Sequence, residues 1–305
     1  MEFNHISVLL TECIEGLNIN PDGTYIDATL GGGGHSKHIC KHLSSQGKFI
    51  GFDRDIEALT FAKGVLAGFD IQKIFVHDNF SSIPEFLDEP VDGVLMDLGV
   101  SSFQLDTASR GFSYTKDAPL DMRMNVSDDL SAYDVVNSYK EEDLYAIIKN
   151  YGEERFAKSI ARSITKQRDV APIKTTMELV EIIRKSMPRP RDGSHPAKRT
   201  FQAIRIEVNN ELGIIEDTIN GIVDKLNSGG RLCIITFHSL EDRIVKTAFN
   251  QLKSPCTCPR EFPVCICKKE PQIKIISKKP ILPTSGEMEQ NPRSKSAKLR
   301  IAEKL

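Results

Sequence analysis

Short apolar runs alternate with stretches of helical periodicity over the first hundred residues. In the helical stretches, apolar residues recur at three- and four-residue spacing, which predicts helices over 5–17, 36–43 and 56–66, the first with Thr11 as its N-cap. Strands alternating with helices are typical of a parallel α/β sheet, with ligands at the carboxyl ends of the strands. The apolar runs predict strands at Thr24–Asp27, Lys48–Asp53, Ile71–Asp78 and Val91–Asp97.

The alternation stops near Asp106 and resumes near Phe201. Between them, an aperiodic loop is predicted over 107–125, followed by helices over 131–151, 153–169 and 176–186. After them we expect helices over 201–212 and 214–226, a C-cap at Ser228–Gly230, a strand at 231–237, a helix over 238–252 and short strands at 273–277 and 297–301. The pattern therefore predicts an α/β core in two parts, residues 1–105 and 206–305, interrupted by an inserted helical domain at 106–205.

Four consecutive glycines, Gly31–Gly34, follow the first predicted strand. Glycine lets the backbone approach a ligand closely, and the N-terminus of the next helix favours an anionic group. Asp53 ends the second strand about 20 residues later, where a carboxylate can accept ribose hydroxyls. Asp27 would repel a pyrophosphate but suits a sulfonium and an ammonium. The residues therefore favour S-adenosylmethionine over a nicotinamide dinucleotide, with a plain flexible turn as the third alternative.

Length and composition narrow the class of protein. The chain has 305 residues, 40% of them hydrophobic, and a net charge of −2. Its length and hydrophobic content suffice for the core of a large domain with an insertion. It contains no apolar run of about 18 residues and its N-terminus lacks the order of a signal peptide. We therefore expect a cytoplasmic protein without a membrane partner.

The predicted insertion is basic although the whole chain is not. Residues 151–205 contain thirteen basic and six acidic residues. An excess sustained over several elements favours nucleic-acid binding, while the alternative is an ordinary solvated helix face. The candidates for contacts with RNA phosphates are Arg155, Arg162, Lys198 and Arg199.

Seven cysteines fall into two groups. Cys13, Cys40 and Cys233 lie in apolar stretches and are predicted to be reduced core residues. Structural zinc sites usually space their ligands as C-x₂₋₄-C, whereas the second group forms two C-x-C pairs. We assign no metal ligand from the sequence, and zinc binding and a thiol cluster both stay open for Cys256, Cys258, Cys265 and Cys267.

Seven motifs stand in order along nearly the whole chain: Asp27–His35, Gly51–Asp55, Asp97–Ser102, Pro119–Met124, Tyr151–Arg155, Arg199–Arg205 and Phe237–Arg243. Together they resemble the family of bacterial small-subunit ribosomal RNA cytosine-N4 methyltransferases. The resemblance implies a Rossmann-type class I methyltransferase sheet with a helical insertion. It also implies a cytoplasmic enzyme that uses S-adenosylmethionine to methylate one cytidine in the decoding region of 16S rRNA. Whether the substrate is free 16S rRNA or a small ribosomal subunit stays open.

The resemblance also implies roles for individual residues. Gly33, Gly34 and His35 match the loop at the methionine end of the cofactor, and Asp53 matches the acid that binds the ribose. Phe80 matches the wall of the adenine pocket. The positions nearest the reacting end are matched by Asp97 and Gln104.

The chemistry at Asp97 has two interpretations. A hydrogen-bond acceptor there can orient the cytosine amine toward the methyl carbon, or it can hold the ammonium of the cofactor. Methylation at cytosine C5 is disfavoured because no cysteine follows the fourth strand. Two other functions stay open, a nicotinamide-dependent oxidoreductase and a non-catalytic RNA-binding ribosome-assembly factor, as does a homodimeric state.

Overall fold

The computed structural model describes residues 7–189, 193–259 and 266–305. It divides into two compact units. We call the unit formed by the described residues up to Gly99 and from Leu212 onward the sheet unit, and the unit formed by Val100–Glu211 the helical unit. The helical unit is inserted in the sequence between a strand and a helix of the sheet unit.

Strands of the described residues form one mixed sheet with the order β3-β2-β1-β4-β5-β7-β6. The first five strands in this order are parallel, and the last two pair antiparallel. This confirms the predicted α/β class. The strands are β1 (Thr24–Asp27), β2 (Lys48–Asp53), β3 (Gln72–His77), β4 (Val91–Asp97), β5 (Leu226–Thr236), β6 (Ile273–Ile275) and β7 (Lys298–Lys304).

Helices cover the sheet and build the insertion. In chain order they are α1 (Leu10–Leu17), α2 (Gly34–His42), α3 (Ile56–Val65), α4 (Ile83–Phe86), α5 (Ser102–Asp106), α6 (Ala132–Ser138), α7 (Glu141–Asn150), α8 (Ala157–Arg168), α9 (Thr176–Ser186), α10 (Lys198–Asn209), α11 (Ile215–Asp224), α12 (Ser239–Lys253) and α13 (Ser285–Gln290). None of the described helices has the length and apolarity needed to span a membrane.

The sheet unit has an apolar cluster on each face of its sheet. Ile26 and Ile50 belong to one cluster, whereas their neighbours Tyr25 and Phe49 belong to the other. Since successive side chains of a strand point to opposite faces, a strand buried on both sides must be apolar almost throughout. This explains the short continuous apolar runs in the sequence. The helical unit has a separate apolar cluster of its own.

The observed insertion is longer than the predicted one. The helical unit starts at Val100 and ends at Glu211, whereas the sequence pattern places its limits at 106 and 205. At its end, α10 continues to Asn209, whose side chain binds the backbone of Met122 and Met124 within the same unit. These hydrogen bonds hold the last turn of α10 in the helical unit.

Three predicted elements are corrected by the structure. The lead-in helix begins at Leu10, and its N-cap is Leu9 rather than Thr11, with the Leu9 N–H donating to Glu287 Oε1. The segment 131–151 forms two helices, because three acidic residues start α7 as a separate helix. The α8 helix starts at Ala157, so Arg155 lies in the preceding turn.

The predicted helix cap at Ser228–Gly230 is wrong. The α11 helix ends at Asp224, and these residues lie within β5. Leu226 of β5 pairs with Val91 of β4, and the next paired residue of β5, Arg231, pairs with Gly93. Four residues of β5 therefore lie opposite the single residue of β4 between Val91 and Gly93. Such a bulge requires an unusual backbone, and Gly229 has φ 82°.

Candidate active site

Three neighbouring parallel strands end in an aspartate at the same edge of the sheet. Asp27 of β1 is level with Gly51 of β2 and Leu95 of β4. Asp53 of β2 and Asp97 of β4 therefore lie two residues further along their strands than the residues opposite Asp27, on either side of β1. The glycine loop that follows Asp27 runs between these two carboxylates, at the edge where α/β sheets bind ligands.

Asp53 is fixed by the glycine loop and by the turn that follows β2. Its Oδ2 accepts a hydrogen bond from the Gly31 N–H at 2.7 Å, and its Oδ1 accepts one from the Asp55 N–H at 2.8 Å. Burial raises the pKa of Asp53 to about 6, although both hydrogen bonds oppose the shift. Each carboxylate oxygen has two lone pairs, so one remains on each for a ribose hydroxyl.

The glycine loop ends at the N-terminus of α2. Gly33 has φ 72° and is the N-cap of α2, without a side-chain cap. A Cβ on Gly34 would overlap the Ser7 hydroxyl, so glycine is required there by packing. The first N–H groups of a helix lack intrahelical acceptors and favour an anion, such as a carboxylate.

Gly32 is the position of this loop where the protein leaves space. No described atom lies within 4 Å of the place that a Cβ would occupy. We expect Gly32→Ala to fold normally but to bind S-adenosylmethionine about 5- to 150-fold more weakly, because overpacking costs about 1–3 kcal/mol. Isothermal titration calorimetry measures the affinity and thermal unfolding measures the stability.

Gly64→Ala is the matched control for this substitution. Gly64 also has no atom within 4 Å of an added Cβ, but it lies in α3. It should keep the wild-type affinity and gain about 0.5–1 kcal/mol of stability. Equal affinities of the two variants would show that the space beside Gly32 is open solvent.

Asp27 is almost completely buried and is held by its own loop. Its Oδ2 accepts a hydrogen bond from Ser36 Oγ at 2.5 Å, and its Oδ1 accepts one from the Thr29 N–H at 3.2 Å. Burial raises the pKa of Asp27 to about 6, against the opposing effect of these hydrogen bonds. Asp27 is therefore largely ionised at neutral pH and makes the loop attractive to a cation.

His35 is a neutral imidazole that faces Asp97. Its Nε2 lies 2.9 Å from the Val8 carbonyl oxygen, which can only accept, so Nε2 carries the proton. Burial lowers the pKa of His35 to about 4. The 3.8 Å separation between His35 Nδ1 and Asp97 Oδ2 is thus not an ion pair. When Asp97 is ionised, two acceptors face each other, an arrangement that suits a donor such as an ammonium.

Asp97 carries the least satisfied polar atom of the site. About 24% of its side-chain surface is exposed, but Oδ1 is buried and has no hydrogen-bond partner among the described residues. Burial raises the pKa of Asp97 to about 8, and the charges of Asp27 and Glu241 add to the shift. An ionised carboxylate here destabilises the fold unless a ligand compensates it, which is typical of functional sites.

Three supporting residues were not predicted from the sequence. Thr29 Oγ1 accepts the Asp97 N–H at 2.6 Å, and Ser36 binds Asp27. Glu241 is buried at the start of α12, where its Oε2 accepts from the N–H groups of Phe237 and His238. The spacing of His238 and Glu241 is that of a capping box. This spacing at the end of β5 is the signal that would have identified Glu241.

Phe80 follows the end of β3 at this edge of the sheet, whereas Gln104 belongs to the helical unit. The Asp78 N–H donates to the Asp53 carbonyl, and half-buried Phe80 follows two residues later. The Asp78 side chain is exposed and binds the Asn79 N–H, so Asp78 serves its own turn. Gln104 belongs to the helical unit, where its Oε1 accepts the Ser101 N–H in a capping box. Its predicted contact with a cofactor remains a prediction.

The basic residues of the helical unit divide into exposed and internal ones. Arg155 and Arg162 are exposed, as are Lys198 and Arg199 in the first turn of α10, although Arg199 Nη1 donates to the Glu153 carbonyl. Two basic residues of the predicted excess are used inside the unit. Arg168 binds the Val136 carbonyl and Arg205 makes two hydrogen bonds to Glu211.

These groups match the chemistry of S-adenosylmethionine. Asp53 can accept ribose hydroxyls, and the N-terminus of α2 can bind the carboxylate. Asp27 and Asp97 can supply negative charge, and His35 an acceptor, to a bound ammonium or sulfonium. A cation beside Asp97 Oδ2 would compensate the charge of this carboxylate, whose Oδ1 is buried and has no hydrogen-bond partner among the described residues.

Comparisons with known proteins agree with S-adenosylmethionine as the cofactor. The model of the MraW methylase family matches residues 2–305. A ribosomal RNA small subunit methyltransferase H of Clostridium botulinum (strain Kyoto / Type A2) is 62% identical over 311 residues, and its namesake in Clostridioides difficile (strain 630) is 60% identical. Both alignments cover 100% of this chain and 100% of the relative.

Two solved structures that this chain matches share little sequence with it. One is a putative rRNA methylase from Clostridium thermocellum, with a TM-score of 0.48, 11% identity and coverage of 99% of this chain and 100% of the other. Another is a putative methyltransferase from Streptococcus mutans in complex with SAH, with a TM-score of 0.46, 14% identity and coverage of 99% and 100%.

Proposed function

The chain belongs to the MraW methylase family, and from this premise we propose that it transfers the methyl group of S-adenosylmethionine to the N4 amine of one cytidine in the decoding region of 16S rRNA. The family resemblance seen in the sequence is confirmed by the full-length matches. The observation that carries the proposed chemistry is the half-buried carboxylate of Asp97 at the carboxyl end of β4, whose Oδ1 is buried and has no hydrogen-bond partner among the described residues.

We assign the cofactor contacts to the sheet unit. Gly33, Gly34 and the N-terminus of α2 bind the methionine carboxylate, Asp53 binds the ribose and the exposed side of Phe80 packs against adenine. His35 Nδ1 and Asp97 Oδ2 accept from the ammonium group. When bound, the cofactor supplies a methyl group made electrophilic by the adjacent sulfonium.

The acceptor amine needs positioning more than it needs a strong base. The lone pair of a cytosine amine is delocalised into the ring, and an acceptor that binds its N–H groups turns the lone pair toward the methyl carbon. Asp97 is the candidate for this role as well. A base must be unstacked to reach the site, which costs least in single-stranded RNA.

The exposed basic residues of the helical unit support RNA binding. Lys198 and Arg199 lie in the first turn of α10, whose N-cap is Ala197, without a side-chain cap. Cations at a helix N-terminus are unfavourable, so helix stability does not explain them. A phosphate bound there would interact favourably with both side chains and with the positive end of the helix dipole.

Neutralising two of these residues should reduce the salt dependence of RNA binding. If about four side chains contact single-stranded phosphates, log affinity should fall against log salt with a slope near −3. The double variant Arg162→Gln with Lys198→Gln should lower its magnitude by about 1.4. Fluorescence anisotropy with a single-stranded 16S rRNA fragment measures the slope.

The control for this experiment is Lys246→Gln with Lys253→Gln, two exposed lysines of α12 in the sheet unit. This variant loses the same charge and should retain the wild-type slope. An identical change of slope in both double variants would show that net charge, rather than the helical unit, determines the RNA affinity.

Transfer of a labelled methyl group tests the whole proposal. The protein is incubated with labelled S-adenosylmethionine and with either undermodified small ribosomal subunits or free 16S rRNA, followed by nucleoside mass spectrometry. We expect labelled N4-methylcytidine at one nucleotide, with the small subunit as the better substrate. A non-catalytic assembly factor would bind RNA without transferring label, and an oxidoreductase would instead co-purify with a nicotinamide nucleotide.

A further inference from the structure

Three cysteine thiols converge in the loop that joins α12 to β6. The Sγ atoms of Cys256, Cys258 and Cys267 all lie within 4.8 Å of one another. Cys256 is exposed, and the other two are half-buried. The core cysteines Cys13, Cys40 and Cys233 differ, because they are buried. Core packing therefore does not explain the convergence in the loop.

The limit of 4.8 Å on the separations of the three sulfur atoms is compatible with a zinc site. Zn–S bonds of about 2.3 Å in a tetrahedron place the sulfur atoms about 3.8 Å apart. A disulfide would join two sulfur atoms at about 2.05 Å and leave the third thiol unused. The C-x-C spacing was the objection to zinc in the sequence. This objection is weakened, because the Sγ atoms of Cys256 and Cys258 both lie within 4.8 Å of the Sγ atom of Cys267.

A backbone hydrogen bond orients one of the three thiols. The Ile266 N–H donates to Cys258 Sγ at 3.3 Å. Backbone donors of this kind orient metal ligands in protein sites.

The position of the loop gives such a site a structural role. The Gln272 N–H binds the Leu252 carbonyl, so the two ends of the loop meet between α12 and β6. The β6 strand has only three residues and lies at the edge of the sheet. A metal ion bound to both halves of the loop would hold the chain that leads into β6.

We propose that Cys256, Cys258 and Cys267 bind one zinc ion as thiolates in a structural site. Zn²⁺ in such sites has four ligands. The sequence contains a further thiol in the loop, Cys265, which lies outside the described residues. The proposal depends on the three described thiols and is independent of methyl transfer.

Metal analysis of the full-length protein tests the proposal. Protein purified without a metal-binding tag under reducing conditions should contain about one zinc ion per chain by plasma mass spectrometry. Replacing zinc with Co²⁺ should give a sulfur-to-cobalt charge-transfer band and the intense visible bands of a tetrahedral thiolate site. The metal itself is the readout, so failure of this test leaves the methyltransferase proposal unaffected.

Two variants distinguish a zinc ion held by these three thiols from zinc that binds incidentally elsewhere. Cys258→Ala should weaken zinc binding at least about 10- to 100-fold, the loss usual for residues that merely support a ligand. Cys40→Ala removes a core cysteine and should keep the metal, and circular dichroism verifies that both variants fold. Wild-type protein without zinc or a cobalt spectrum would overturn the proposal, as would unchanged zinc in Cys258→Ala or a disulfide among these cysteines.

Discussion

Replacing Asp97 by asparagine is expected to weaken S-adenosylmethionine binding by about 30-fold or more. The ammonium of the cofactor would lose the negative charge that faces His35, and removing one partner of a buried charge pair costs about 2–5 kcal/mol. Asparagine has nearly the same shape and keeps an acceptor oxygen, so the loss reports charge rather than packing. Isothermal titration calorimetry measures the affinity.

The same substitution should stabilise the ligand-free protein. Because the pKa of Asp97 is raised to about 8 in the fold, its ionised form destabilises the native state. This destabilisation is fully present above pH 8 and vanishes below the pKa that Asp97 has in the unfolded chain. At pH 8.5 we expect Asp97→Asn to gain at least about 1 kcal/mol, or about 2–4 °C in Tm. The gain should shrink as the pH falls.

Asp78→Asn is the matched control, since Asp78 follows β3 at the same edge but is exposed. It should leave both affinity and stability unchanged. Loss of stability in Asp97→Asn would contradict the proposed role, because it would make the carboxylate a structural group. A fall in kcat at saturating cofactor, beyond the loss of affinity, would show that Asp97 also orients the cytosine amine.

The sequence predicted the elements whose signals are local. The strands β2 and β4 were predicted with their observed limits because each apolar run is buried on both faces and closes on an aspartate. The α9 helix was predicted with its observed limits as well, and the structure shows a capping box between Thr175 and Glu178 at its start. Local propensity and burial agree in these segments.

Features that depend on tertiary contacts were missed. The bulge in β5 follows from pairing with β4, so Ser228–Gly230 resembles a helix end when taken alone. Glu241 acts on Asp97 from a different element, 144 positions along the chain from it. From the sequence, Arg205 was included in the basic excess that favours nucleic-acid binding, but in the structure it binds Glu211 inside the helical unit. Pairing partners of this kind are set by the fold and not by spacing.

Cofactor binding is expected to strengthen about tenfold for each pH unit between 6.5 and 7.5. The cation binds the ionised form of Asp97, whose pKa is about 8 in the ligand-free protein. Below that pH, binding must release a proton, and the affinity falls as the proton concentration rises. At pH 7 we expect about 0.9 protons released per cofactor bound, measured by calorimetry in buffers of different ionisation enthalpy.

The other titratable groups of the site leave this pH window interpretable. His35 has a pKa of about 4 and stays neutral throughout. Asp27 and Asp53 have pKa values of about 6 and are already largely ionised at pH 6.5, so any protons that they release on cofactor binding steepen the curve only at its acidic end. Asp97→Asn should show little pH dependence in the same range. Wild-type protein that binds the cofactor without releasing a proton at pH 7 would mean that Asp97 is ionised before the cation arrives, and the negative charge at β4 would then need a different partner.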